Sequence, residues 1–393
     1  MTIQPTKKLH KQRLIGLDLC RGMAAYAVVV IHAYALMSYI NLPTNNSMAM
    51  LTQISRFAVP FFLAVSFYFM TNKIYVSEKS FSIRANFNLR FTRLLIPYLS
   101  WSVIYLSLRL VKALSTPDGL KIVLQDPVGL VFLGSASVHL YFLPLLFSGS
   151  FLIVVADRLA RRRINIKALF FLLIMSIIAY ELMIRSGNHF HLGTNCLGNI
   201  SACSSAFGTF IKSMLPNLSE NQVLRLLMVE IAWIVQCLPY VFIGMIFNHP
   251  SIEKNILEFK SNHKMIFYAS TSLFFCLSIL GVLSVFKILY FPKALYEIGT
   301  GTTLFIFGIF ISPNWQTHRL IEDVGKCSFG IYLMHYLVLL IYVPIMNRIL
   351  SEVVAVSPTL IMLTLTTLSF ITSWAITSIL IGRKTISRLL FGI

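Results

Sequence analysis

Arg21 and His32 stand on the first long apolar segment of the chain, with ten residues between them. An ionisable side chain inside a membrane span is costly and is therefore a candidate functional residue. Eleven helical steps of about 100° bring both side chains to nearly the same helix face, about 16 Å apart along the axis. If Arg21 lies at one membrane surface, His32 lies near the middle of a hydrocarbon core about 30 Å thick. The pair predicts a site that begins at one surface and extends into the bilayer.

The chemistry expected of His32 follows from its depth. Burial disfavours the charged form of histidine, so a mid-membrane His32 is expected to be neutral. A neutral imidazole can take a proton from a hydroxyl group as a general base, or become transiently acylated as a nucleophile. The alternative interpretation makes Arg21 an ordinary positive-inside anchor and His32 a hydrogen-bonded packing residue.

Motifs for other chemistries are missing from the sequence. It has no HExxH or CxxC spacing, no Walker A loop, no dinucleotide-type GxGxxG and no GxSxG elbow. We therefore expect no metal site, and a metal- or nucleotide-hydrolysing mechanism has no support.

Several other polar side chains fall within apolar stretches or at their ends. Each would have to face the interior of a helix bundle or a water-filled cavity. Tyr332 and His335, three residues apart, share one helix face. A single residue of this kind is more often a structural hydrogen-bonding group than a catalyst, but the set as a whole predicts a polar pocket. The candidate pocket residues are Arg56, His139, Tyr141, Glu230, Glu297, Tyr332 and His335.

The elements that must position these residues are membrane-spanning helices. Of the 393 residues, 57% are hydrophobic and only 12% are charged, about half the charged fraction of a soluble domain. Ten apolar stretches are long enough to cross or nearly cross a bilayer. The predicted fold is an all-α integral membrane bundle of about ten transmembrane helices. The stretches lie near 16–40, 52–72, 94–113, 138–156, 167–184, 223–248, 264–286, 294–312, 327–347 and 358–381.

The distribution of charge predicts the orientation. Basic residues cluster in the segments that share one side of the membrane with both termini, whereas the segment 41–51 on the other side has none. The positive-inside rule makes that basic side, and both termini, cytoplasmic. The net charge of +19 is therefore a topology signal, and no basic stripe with stacking aromatics indicates nucleic acid. The predicted divisions are a cytoplasmic segment 1–13, a transmembrane domain 14–381 and a cytoplasmic tail 382–393.

Two cysteines share the longest predicted extracytoplasmic loop, 185–222. Cys196 and Cys203 are seven residues apart, and an oxidising compartment would permit them to form a disulfide. At the opposite membrane surface, Arg90 and Arg93 open the third span. Two guanidinium groups at i, i+3 spacing are suited to bidentate binding of phosphates. The alternative for this pair is ordinary positive-inside charge.

Five segments carry a resemblance to a known family, and they occur in the family's order. The segments are Leu17-Asp18-Leu-Cys-Arg21-Gly22-Met-Ala24-Ala25 with the ten-residue spacing to His32, Arg56-Phe-Ala-Val59-Pro60-Phe61-Phe62, Arg90-Phe-Thr-Arg93-Leu-Leu-Ile-Pro97-Tyr98, His139-Leu-Tyr141-Phe142-Leu143 and Ser328-Phe-Gly330-Ile-Tyr332-Leu333-Met-His335. Together they resemble membrane acyltransferase family 3, the multi-span bacterial O-acyltransferases. The chain departs from the family at Tyr141, where tryptophan is frequent, and at Phe67, where glycine is common.

The resemblance implies an O-acetyltransferase of the bacterial inner membrane. Acetyl groups would pass from cytoplasmic acetyl-CoA, a co-substrate rather than a tightly bound cofactor, to a hydroxyl of a surface polysaccharide or its lipid-linked precursor, such as O-antigen. Arg21 and His32 would be catalytic, and Arg90, Arg93 and Asp18 would bind the donor. We also expect the loop 185–222 to help recognise the glycan acceptor.

Alternatives to this reading are transfer of another acyl group such as succinyl, a transporter of a sugar or lipid-linked glycan, and a structural subunit of a glycan-assembly complex. The residues specify neither the sugar, nor the hydroxyl, nor the oligomeric state.

Overall fold

The structure is a computed structural model that describes residues 14–76, 82–115, 117–124, 126–185, 221–252, 263–311, 318–350 and 357–393. These residues are mostly helical and contain no strand. A π-helical turn covers Phe91–Leu95, and a 3₁₀ turn covers Ser150–Leu152. The helices are α1 (Ile15–Tyr39), α2 (Asn46–Ser55), α3 (Ala58–Val76), α4 (Ile83–Arg90), α5 (Ile96–Leu114), α6 (Gly119–Leu124), α7 (Pro127–Phe132), α8 (Phe142–Gly149), α9 (Ile153–Arg161), α10 (Ile166–Arg185), α11 (Gln222–Phe247), α12 (His263–Val285), α13 (Lys293–Ile311), α14 (Arg319–Leu350), α15 (Pro358–Ile381) and α16 (Lys384–Phe391).

Among the described residues, ten helical segments are long and apolar enough to span a membrane. This confirms the all-α class and the predicted number of spans. The predicted loop 185–222 lies almost wholly outside the described residues, and so do Cys196 and Cys203.

Two predicted spans have different boundaries because of proline. The second span is divided into α2 and α3 at Arg56, since Pro60 has no N–H to donate to the Arg56 carbonyl. The fourth begins at Phe142 rather than 138, after a turn that holds His139. Pro144 cannot donate to the Leu140 carbonyl, which instead accepts from the Leu143 N–H at 3.1 Å.

Helix α1 lies inside the bundle, in contact with α3, α13, α14 and α15. Small residues on α1 let these helices approach closely, as is common in membrane proteins. The tightest approach is to α14. A methyl group added at Gly325 would lie 2.5 Å from the Asp18 Cβ, and one at Gly22 would lie 2.8 Å from the Val324 Cγ1. The two helices that carry Arg21, His32, Tyr332 and His335 are therefore packed directly against each other.

Candidate functional site

A cavity of about 440 Å³ lies at the end of the bundle where α1 begins. Among the described residues, its lining includes five cationic side chains and no acidic side chain. The deeper wall is aromatic and aliphatic, with Phe62, Val65, Phe69, Phe329 and Tyr332. We call this cavity the arginine pocket; it suits a ligand with an anionic head and a less polar arm. The five cationic residues are Arg21, Lys73, Arg90, Arg93 and Lys326.

Two neighbours hold Arg21 in the wall of the arginine pocket. Its Nη1 lies 3.3 Å from Asp18 Oδ1, one turn earlier on α1, and its Cζ lies 5.6 Å from the centre of the Phe69 ring. Asp18 itself is only 3% exposed and does not line the pocket. The structure therefore places this predicted donor-binding residue behind Arg21, where its carboxylate orients the guanidinium.

Arg90 and Arg93 enter the same pocket from the π-helical turn. The Ile96 N–H donates to the Phe91 carbonyl, the i−5 bond that defines such a turn. Pro97 follows at once and has no N–H for the Arg93 carbonyl, so the regular helical ladder is interrupted here. The insertion of one residue changes the face on which Arg93 emerges relative to α5. Lys73 and Lys326 complete the cationic wall, and the sequence had indicated them only as topology charges.

Three histidines meet deeper in the bundle, and we call them the histidine cluster. His32 comes from α1, His139 from the turn before α8 and His335 from α14. The His32 ring centre lies 5.1 Å from that of His335 and 5.9 Å from that of His139, and the latter two are 4.9 Å apart. The structure thus brings together one predicted catalytic residue and two predicted pocket residues from three distant parts of the chain.

Hydrogen bonds distinguish the three rings. A carbonyl oxygen only accepts, so His139 Nε2 donates to the Leu333 carbonyl at 3.2 Å, and Nδ1 accepts from the Ser137 hydroxyl at 3.1 Å. His335 Nδ1 donates to the Ile331 carbonyl at 3.2 Å. His335 Nε2 and His32 Nδ1 are buried with no hydrogen-bond partner in the described part of the chain. Both nitrogens of His139 are therefore occupied, whereas His32 and His335 each keep one ring nitrogen free.

Two tyrosines fix the histidine cluster to its surroundings. The Tyr105 hydroxyl donates to the Leu333 carbonyl at 2.8 Å and accepts from the Leu337 N–H at 3.1 Å, which joins α5 to α14. The Tyr332 hydroxyl donates to the His139 carbonyl. Tyr332 also lines the arginine pocket, and its ring centre is 6.1 Å from that of His335. It therefore forms the boundary between the arginine pocket and the histidine cluster.

A second polar group adjoins the histidine cluster, and we call it the tyrosine–glutamate cluster: Arg56, Tyr141, Tyr180, Tyr240 and Glu297. The Tyr180 hydroxyl donates to Glu297 Oε2 at 2.6 Å, and Tyr141 lies within electrostatic range of both Glu297 and Arg56. Tyr141 follows His139 by two residues, so one turn serves both clusters. Arg56 Nε and the Tyr240 hydroxyl are buried and have no hydrogen-bond partner among the described residues.

Glu230 lies apart from these groups. It is on α11, and its carboxyl group is hydrogen-bonded to the Ser148 hydroxyl of α8. The structure thus assembles the other predicted site residues but leaves this one at a helix–helix contact. In the described ranges, no group of three or more His, Cys, Asp or Glu side chains is arranged to hold a metal ion.

Comparison with protein families decides the assignment. The model described as an acyltransferase domain matches residues 14–378, nearly the whole chain. The chain belongs to membrane acyltransferase family 3. This confirms the resemblance seen in the five sequence segments and makes the protein a membrane acyltransferase. Searches of curated proteins and of solved structures gave no match.

Three polar regions follow one another through this family 3 domain. The arginine pocket meets the histidine cluster at Tyr332, and the histidine cluster meets the tyrosine–glutamate cluster at the turn 139–141. Sequence reasoning missed Tyr105, Tyr180 and Tyr240, because a tyrosine in an apolar helix is most often a packing residue. Only the fold reveals that their hydroxyl groups contact or approach site residues.

Proposed function

We propose that this acyltransferase transfers an acetyl group from cytoplasmic acetyl-CoA to a hydroxyl of a surface polysaccharide or its lipid-linked precursor at the bacterial inner membrane. The observation that carries the proposal is the junction at Tyr332 between a pocket with five cations and a cluster of three buried histidines. A phosphate-rich thioester is a donor whose two ends match these two environments.

The donor would bind with its phosphates at the mouth of the arginine pocket. Guanidinium groups bind phosphate oxygens bidentately, and Arg21, Arg90 and Arg93 present three of them on one wall. The less polar pantetheine arm would lie along Phe62, Phe69 and Tyr332, with the thioester directed toward His32. The positive-inside rule makes this end of the bundle cytoplasmic, where acetyl-CoA is made.

His32 would accept the proton of the acceptor hydroxyl. The hydroxyl oxygen then forms a bond to the thioester carbonyl carbon, the carbon–sulfur bond breaks, and the CoA thiolate leaves and takes up the proton. The Nε2 of His335 has no partner among the described residues, and the two ring centres are 5.1 Å apart, so we expect His335 to stabilise the protonated His32 ring. In the covalent alternative, the His32 nitrogen attacks the thioester carbonyl, and the carbon–sulfur bond breaks to release the CoA thiolate. The acceptor hydroxyl oxygen then attacks the acyl-imidazole, His32 leaves as the free imidazole, and the hydroxyl proton passes to the CoA thiolate.

The acceptor would enter from the opposite side, along the tyrosine–glutamate cluster. The Glu297 carboxylate and the Arg56 guanidinium are groups that hydrogen-bond sugar hydroxyls, and Tyr141 leads from them to the histidine cluster. The buried, unpartnered Arg56 Nε and Tyr240 hydroxyl supply further polar contacts for a bound sugar.

The test is thioester turnover by the purified protein in detergent. Acetyl-CoA is supplied with and without an acceptor glycan, and released CoA thiol is measured. We expect acceptor-dependent release from the wild type and none from His32→Ala, which should still give a monodisperse, folded protein. A wild type that releases no CoA while it moves glycan across vesicles would identify a transporter and refute the proposal. Mass spectrometry of the acid-quenched enzyme separates the two routes, because only the covalent one leaves an acetyl group on His32.

A further inference from the structure

The last described segment, Lys384–Phe391 with Gly392 and Ile393, lies beyond the residues 14–378 that match the family domain. It nevertheless forms part of the arginine pocket, because Phe391, Gly392 and Ile393 line the cavity beside Arg93 and Phe329. One wall of the pocket is therefore supplied from outside the matched domain.

The segment is docked onto the bundle by specific contacts. The Trp101 indole N–H, from α5, donates to the Leu390 carbonyl at 3.0 Å. Phe391 is 2% exposed and packs beside Gly330 of α14 and Thr377 of α15. These contacts join α16 to the helices that also carry Arg93 and Tyr332, so a displacement of α16 would disturb the wall of the pocket.

Gly392 makes the closest approach. Its φ of +68° lies in the left-handed region, and a methyl group added there would lie 2.6 Å from the Arg93 Cα and 2.7 Å from the Arg93 carbonyl oxygen. Pro97 leaves that carbonyl without its helical donor, so the backbone of Arg93 is less constrained by its own helix than is usual. The packing of Gly392 supplies a constraint from outside the helix.

We propose that residues 384–393 are a donor-binding element, which fixes the backbone of Arg93 and completes the apolar wall beside it. The element sets the affinity of the arginine pocket for an anionic acyl thioester. This inference rests on the proposed function, since it assumes that the pocket binds acetyl-CoA. The competing role is that of a surface helix that only contacts lipid headgroups through its exposed residues Arg383, Lys384 and Arg388.

A matched pair of glycine variants separates these roles. Gly392→Ala forces a methyl group against the Arg93 backbone, whereas Gly382→Ala places one in ordinary contact, 3.5 Å from the Ile379 carbonyl oxygen, with φ at −64°. Acetyl-CoA affinity is measured by calorimetry on the detergent-purified protein, with KM, kcat and melting temperature. We expect Gly392→Ala to weaken acetyl-CoA binding by about tenfold and to raise KM more than it lowers kcat. Gly382→Ala should bind acetyl-CoA as the wild type does.

A second pair keeps the inference testable if Gly392→Ala does not fold. Ile393 is 60% exposed, so we expect polar substitutions there to leave the fold intact. Ile393→Glu adds a negative charge beside the five cations and should weaken acetyl-CoA binding severalfold more than Ile393→Gln, which is close in size but uncharged. Equal binding by the two Ile393 variants, together with wild-type binding by any folded Gly392→Ala, would overturn the inference while the proposed function stands. A wild type that does not bind acetyl-CoA would overturn both.

Discussion

The hydrogen bonds of the histidine cluster predict that His139 has a structural role and His32 a catalytic one. Glutamine substitutions at the two positions test this difference. Glutamine retains one donor and one acceptor group, so it can replace part of the bonding of His139 to Ser137 and Leu333. A typical buried hydrogen bond contributes about 1 kcal/mol, so loss of both bonds costs up to about 2 kcal/mol of stability. Loss of these bonds could also displace the neighbouring His32. If that displacement raised the activation free energy by about 1.4 kcal/mol, the rate would fall about tenfold.

His32→Gln removes the proposed base itself. General base catalysis contributes about 10² to 10⁴ in rate, equivalent to about 2.7 to 5.5 kcal/mol. The two variants should therefore differ by at least about tenfold in kcat, and their stabilities should fall in the opposite order. His139 is 1% exposed and both its ring nitrogens are bonded, whereas His32 Nδ1 has no hydrogen-bond partner among the described residues, so its loss breaks no hydrogen bond there.

The assay is acceptor-dependent CoA release at saturating donor and acceptor, with melting temperatures measured on the same monodisperse preparations. We expect His139→Gln to melt earlier and retain much of its rate, and His32→Gln to melt near the wild type and lose nearly all of it. The reasoning is refuted if His139→Gln loses as much rate as His32→Gln without a change in melting temperature.

Three further predictions concern the donor and acceptor sides. Arg90→Lys and Arg93→Lys should each weaken acetyl-CoA binding by about tenfold in titration calorimetry, because lysine lacks the bidentate fork, while the exposed Arg158→Lys should not; unchanged affinity in the first two would leave them only a topological role. Glu297→Gln should raise the KM for the glycan severalfold and leave acetyl-CoA affinity unaltered; a loss confined to donor affinity would contradict an acceptor site there. Replacement of 188–204, which lies outside the described residues, with a Gly/Ser linker should lower glycan acetylation while acetyl-CoA binding persists; unaffected acetylation would make the loop a connector.

The fold was predictable from the sequence because the length of an apolar run is set by the thickness of the bilayer. The errors lie at span boundaries, and proline explains two of them. Pro60 and Pro144 lie in the first turns of α3 and α8, where a proline is compatible with a helix. The hydropathy of the surrounding apolar run does not show that a helix begins just before each proline. Hydropathy alone therefore missed the break between α2 and α3 inside the second span, and it began the fourth span at 138 rather than at Phe142.

The site was only partly predictable. Arg21 and His32 were identified by their spacing and by the free-energy cost of placing an ionisable side chain in a membrane span, which makes such a residue a candidate for function. The meeting of His32 with His139 and His335 depends on how α1, α14 and a turn pack, and no local pattern encodes it. Asp18 was predicted at the donor, and the structure places its buried carboxylate 3.3 Å from the Arg21 guanidinium, outside the lining of the arginine pocket.

The most direct test of the central claim is mass spectrometry of the surface glycan from bacterial cells with this chain, without it and with His32→Ala. We predict that the glycan from cells with the wild-type chain carries additional acetyl groups on sugar hydroxyls. Glycans from the other two strains should lack them, although the His32→Ala protein reaches the membrane in normal amount. An identical glycan in all three strains, or full acetylation with His32→Ala, would contradict acyl transfer through His32, and an added mass of succinyl would replace acetyl as the transferred group.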